Sequence, residues 1–75
     1  MIIEDKILSA ERLQRLLLRQ PGTQVVGRLP SVRKGREWLA TQPPRPDFIL
    51  ADMQLTDGLS FELLRKLPRP VPIIF

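Results

Sequence analysis

Phe48-Ile49-Leu50-Ala51 is a short apolar run that ends abruptly on Asp52, and the loop behind it closes on Asp57-Gly58. A run without polar alternation suits a strand buried on both faces, and such strands lie in parallel sheets. Open α/β sheets place their ligands outside the carboxyl ends of the strands, so this run delivers the Asp52 carboxylate to that edge. Met1-Ile2-Ile3 followed by Glu4-Asp5 repeats the arrangement. Two strands ending in carboxylates, separated by helical patterns, predict a clustered acidic pocket. A pocket of that kind suits a hard divalent cation.

The rest of the chain alternates short β-like runs with helical periods, as βαβ units around a parallel sheet do. Strand one is read as Met1 to Glu4. Leu8, Ala10, Leu13, Leu16 and Leu17 follow at helical spacing, with Arg12, Arg15 and Arg19 on the other side, and Pro21-Gly22 stops that helix. Thr23 to Leu29 reads as strand two, with Val25 and Val26 at its centre. Ser31 is the N-cap of a second helix whose inner face holds Val32, Gly35, Trp38 and Leu39; Gly35 predicts a close approach to the sheet. Pro43-Pro44-Arg45-Pro46 is a stiff connector into strand three, Phe48 to Ala51. A third helix starts at or near Ser60, with Phe61, Leu64 and Leu67 inward, and ends at Pro68-Arg69-Pro70. Val71 to Phe75 is strand four, with Pro72 near its start because proline cannot donate to a ladder. Trp38 and Phe61 read as core, and Asp57-Gly58 as a turn in which glycine allows positive φ and no chemistry is required.

Seventy-five residues make one domain, 1–75, with a modest core. The chain has no cysteine, which removes disulfides, thiol catalysis and zinc-thiolate sites and fits a reducing compartment. It has no histidine, which removes Ser-His and Cys-His triads. No apolar run reaches the length of a membrane span and the first residues lack a signal-peptide layout, so a cytoplasmic protein without membrane contact is expected. The net charge of +4 is read as solvated helix faces carrying Arg12, Arg15, Arg19, Arg33, Lys34 and Arg36, with nucleic acid or an acidic partner as the competing reading.

Ile2-Ile3-Glu4-Asp5, the Val25-Val26-Gly27 strand, Ser31-Val32 opening a helix and Phe48 to Leu55 together resemble the receiver domain of two-component response regulators. Gln54-Leu55-Thr56-Asp57-Gly58-Leu59-Ser60-Phe61-Glu62, with Val71-Pro72-Ile73-Ile74-Phe75 behind it, is most similar to the LytTR-type branch. The resemblance covers the whole chain and implies a truncated flavodoxin-like receiver fold. Its parallel sheet would have order 2-1-3-4 with three helices, without the last helix-strand-helix. It implies Asp52 as phosphoacceptor and Mg2+ ligand, Asp5 as direct ligand, Glu4 as a close or water-bridged contributor, and the Gln54 backbone carbonyl as third protein ligand. It also implies a sensor histidine kinase as donor, which this histidine-free chain cannot be. DNA would be reached only through a further LytTR-type domain. In the family a switch Ser/Thr and an essential Lys follow at positions beyond Phe75. Lys6 stands where the branch usually has Glu, and either lowers the pocket's affinity for magnesium or points outward. An uncovered strand-four edge is expected to pair with another chain, as a homodimer or swapped assembly.

Asp52 alone would read as a helix cap or Asx-turn; the Glu4-Asp5 pair at a second strand end favours the pocket. A haloacid-dehalogenase-like phosphatase needs a second Asp two residues after the nucleophile, where Gln54 stands and cannot exchange a proton. The chain is therefore read as a phosphoacceptor rather than an enzyme. A degenerate receiver acting only in dimerisation, or a basic nucleic-acid-binding module using Arg12, Arg15 and Arg19, are the alternatives.

Overall fold

The computed structural model describes residues 1–41, 43–67 and 70–75. The order of elements is β1 (Ile2–Ile3), α1 (Ile7–Leu18), β2 (Arg28–Leu29), α2 (Val32–Ala40), β3 (Ile49–Ala51), β4 (Gln54–Leu55), β5 (Gly58–Leu59), α3 (Ser60–Leu64) and β6 (Ile73–Ile74). Four strands form a parallel sheet in the order β2-β1-β3-β6, while β4 and β5 form a small antiparallel hairpin. With β6 as the fourth sheet strand, this is the expected order 2-1-3-4 with three helices, compatible with a truncated flavodoxin-like fold. The hairpin was not expected; it occupies the loop after Asp52.

Ladder register sets the two faces of the sheet. Ile2 stands beside Leu50 and Ile3 beside Ala51. Because side chains alternate along a strand, Ile3, Ile49 and Ala51 share one face, where they cluster with Leu29, Val32, Leu63, Leu64 and Val71 under α2 and α3. Ile2 is fully buried on the other face, the side of Ala10 and α1.

Several boundaries and faces differ from the sequence reading. β2 is confined to Arg28–Leu29, since β1 offers only Ile2 and Ile3 as partners; Val26 is exposed. In α1 the inward stripe is Ala10, Leu13 and Leu17. At 100° per residue Leu8 and Leu16 fall outside that stripe, and both are exposed. In α3 the inward residues are Leu63 and Leu64, whereas Phe61 is exposed rather than core; Leu67, beyond the end of the helix, is partly buried. The helix begins at Ser60, so Phe61 sits on its first turn and turns outward while Leu63 and Leu64 join the buried cluster. α3 ends at Leu64 with Arg65 as its C-cap, short of the expected stop at Pro68-Arg69-Pro70, of which Pro68 and Arg69 lie outside the described residues. Pro72 precedes β6, and its carbonyl accepts from the Ile49 N–H at 2.9 Å. β6 is an edge strand that leaves Ile74 and the following Phe75 exposed.

Gly35 does mark a close approach, but to α3 instead of the sheet. A Cβ built there would fall inside contact distance of Leu63 Cδ2 and lie 3.0 Å from Leu63 Cδ1. Leu63 is only 2% exposed, so it has little room to yield. Gly35→Ala is therefore expected to destabilise the fold by about 1–3 kcal/mol, overriding the helix-propensity gain of about 1 kcal/mol. Urea denaturation checks this, and equal or greater stability would mean that α2 and α3 have slack between them.

Candidate functional site

The ladder that builds the sheet also places the acids. The Glu4 N–H donates to the Leu29 carbonyl at 3.1 Å and the Asp52 N–H donates to the Ile3 carbonyl at 2.8 Å, so both residues continue the ladder just past the strand ends. One carboxylate oxygen from each of Glu4, Asp5 and Asp52 lies within 4.8 Å of the others. Asp5, Asp52, Lys6, Gln54, Leu55 and Thr56 line a cleft of about 440 Å3. A second cleft, lined by Trp38, Phe48 and the Pro43–Pro46 connector, lies at the amino-terminal side of the strands, away from these acids.

Local bonds orient each acid. The Thr56 hydroxyl donates to Asp5 Oδ2 at 2.7 Å and, as the largest influence, holds Asp5 below the usual carboxylate range; the Lys6 charge acts the same way. Asp5 Oδ1 is buried and has no hydrogen-bond partner among the described residues. Burial pushes Glu4 above the usual range, opposed by the Lys6 N–H that Glu4 Oε1 accepts at 3.3 Å and assisted by the nearby Asp52 charge. The Gln54 N–H donates to Asp52 Oδ1 at 3.3 Å, closing the turn into β4. Lys6 does not point away: its Nζ lies 3.8 Å from Asp52 Oδ2 and 4.0 Å from Asp5 Oδ1.

The donor set is all oxygen and suits a hard cation. One carboxylate oxygen from each of the three acids lies within 4.8 Å of the others. A hard cation such as magnesium, which takes one or two carboxylates with carbonyl and water oxygens, would be held by Glu4, Asp5, Asp52 and the Gln54 carbonyl. Asp5 Oδ1, an acceptor without a donor among the described residues, is the atom that most needs a positive partner.

Two residues outside the expected set organise the site. Thr56 carries the bond to Asp5 described above. Asp57, read from sequence as a plain turn residue, accepts from the Val32 N–H at 2.8 Å and the Arg33 N–H at 3.0 Å. Ser31 Oγ accepts from the Lys34 N–H at 3.0 Å, as its N-cap assignment requires. Together they satisfy the unpaired N–H groups of the first turn of α2. Gly58 provides the positive φ of 147° that follows Asp57 in the hairpin. The carboxylate of a loop beside the acidic cleft thus fastens that loop to α2.

The Val32 N–H first, and then the Arg33 N–H, hold Asp57 below its ordinary value of 3.8. The unfolded chain binds this proton more readily than the folded one, so the contribution is complete above 3.8 and is lost as pH falls through the lower folded value. Asp57→Asn is expected to flatten the acid limb of stability against pH. Urea midpoints taken from about pH 2 to about pH 6 would show it, and an unchanged slope would mean that the cap bonds do not persist in solution.

No family model and no solved structure matches the chain. It is similar over its whole length to the sensory transduction protein LytT of Bacillus cereus, at 31% identity over 78 aligned positions, and to LytT of Bacillus anthracis, at 30% over 78. The chain spans 31% of the length of these curated relatives. No helix among the described residues is long and apolar enough to cross a membrane. The acidic cleft thus stands at the carboxyl edge of the parallel sheet in a chain similar over its whole length to these two sensory transduction proteins.

Proposed function

We propose that the chain is a phosphoacceptor receiver of a two-component response regulator, taking a phosphoryl group from a sensor histidine kinase onto Asp52 with Mg2+. The observation that carries this reading is the meeting of Glu4, Asp5 and Asp52 at the ends of two adjacent parallel strands. The receiver resemblance of the sequence and the similarity to LytT support it.

In the proposed reaction an Asp52 carboxylate oxygen attacks phosphorus, the P–N bond to the kinase histidine breaks, and the imidazole nitrogen leaves with the electron pair. The product is an acyl phosphate on Asp52. Such a transfer needs positioning and charge neutralisation more than covalent help. Glu4, Asp5, Asp52 and the Gln54 carbonyl would hold the cation, whose bound charge offsets repulsion between the carboxylates and the incoming phosphoryl oxygens. The chain's own part is orientation. The β1–β3 ladder fixes the Asp52 backbone, the Gln54 N–H fixes one oxygen, and Thr56 keeps Asp5 aimed at the same cleft. The Asp52 side chain is 29% exposed, which leaves it open to a donor. On this reading the chain is a substrate of phosphoryl transfer rather than an enzyme. It belongs to a longer LytTR-type regulator that contacts DNA through another domain, and the exposed residues at the β6 edge suit a homodimer or swapped assembly.

Incubation with acetyl phosphate and MgCl2, followed by intact-mass measurement, tests the reading. A single phosphoryl adduct that disappears when EDTA replaces magnesium is expected. An unmodified mass under conditions where the chain is folded would overturn it.

A further inference from the structure

We propose that Lys6 is a resident counter-cation of the acidic site, which a divalent ion must displace in order to bind. Its Nζ stands between Asp5 and Asp52, 4.0 Å and 3.8 Å from their nearer oxygens, and so bridges carboxylates delivered by two different strands. Both separations are too long for hydrogen bonds, so charge alone holds the ammonium there. Asp5 Oδ1, buried and without a hydrogen-bond partner among the described residues, has Lys6 as a charged neighbour.

The helix gives no reason for a lysine at this position. Lys6 is the N-cap residue of α1 and makes no side-chain cap bond, and the first turn holds no acidic residue. A cation beside the positive end of a helix is unfavourable, and serine, threonine, aspartate or asparagine would serve as cap. A residue that breaks a local rule is expected at a functional site, and here the offsetting attraction comes from the acidic cleft. The Lys6 side chain is 70% exposed, so it can swing into solvent without opening the core. An ammonium and a divalent ion cannot share the same few ångströms without strong repulsion. The device therefore lowers cation affinity and keeps the empty cluster from repelling itself apart.

The inference rests on the phosphoacceptor reading only in requiring that a divalent ion bind these carboxylates. The test is titration of the full chain with MgCl2 at constant ionic strength, following the amide NMR shifts of Asp5, Asp52 and Gln54. Exposed ion pairs are weak and displaceable, so Lys6→Gln is expected to tighten binding by about two- to tenfold. Lys6→Arg, which keeps the charge, is expected to stay within about twofold of the wild type. Equal or weaker binding by Lys6→Gln would overturn the role of Lys6 and leave the cation site standing. Absence of binding by both the wild type and Lys6→Gln would overturn the cation site and this inference together.

Discussion

Asp52→Asn is expected to abolish the phosphoryl adduct while leaving the fold in place. The amide matches the carboxylate in size, and the bonds that hold residue 52 do not need its charge. Its N–H still reaches the Ile3 carbonyl, and its remaining side-chain oxygen can still accept from the Gln54 N–H. What is lost is the anionic oxygen that attacks phosphorus and one of the three charges that a cation would neutralise. Stability should change by less than about 0.5 kcal/mol, since loss of the Lys6 ion pair and relief of carboxylate repulsion oppose each other. Glu4 should titrate lower than in the wild type, because the Asp52 charge is one of the causes that raise it beside burial. Intact mass, urea denaturation and carboxyl NMR read the three effects separately. An adduct that persists on the folded variant would place the acceptor elsewhere and sink the assignment of Asp52.

The sheet was legible because apolar runs and their carboxylate ends depend only on neighbours in sequence. Ile2-Ile3 before Glu4-Asp5 and Ile49-Leu50-Ala51 before Asp52 gave strand identity, direction and pocket together. Partner-dependent features were less accessible. Val25 and Val26 have β propensity, but β2 extends only where Ile2 and Ile3 can pair with it. Phe61 is apolar and helical, but its direction follows from where α3 begins, which turns Leu63 towards Gly35 and Phe61 towards solvent. The same limit explains Asp57. Its cap bonds join residues 25 and 24 positions apart, while its Asp-Gly context indicates only a turn. Thr56 reaches 51 positions back to Asp5, and no local pattern marks such a bond. Lys6 had two open readings, pocket or solvent, and the placement of Asp52 beside it decides for the pocket.

Ile49→Ala is expected to be the most destabilising of these changes, at about 2–5 kcal/mol. Ile49 is fully buried on the central strand β3, within the cluster that joins the sheet to α2 and α3. Alanine would leave a cavity that the ladder cannot close, because β3 is held by β1 on one side and β6 on the other. At about 0.05–0.15 kcal/mol per residue, a chain of 75 residues has roughly 4–11 kcal/mol in all, so the substitution removes a large part of it. The acidic site should fail with the fold, since Asp52 follows directly on β3, whose ladder positions its backbone. Leu8→Ala is the control: it deletes a similar side chain at a position that is 76% exposed and should shift the urea midpoint little. The contrast separates burial from hydrophobicity, because residue type ranks the two positions alike and only the packing distinguishes them. Similar losses at both positions would mean that α1 buries Leu8 in solution, and that its apolar outer face is covered by another part of a larger assembly.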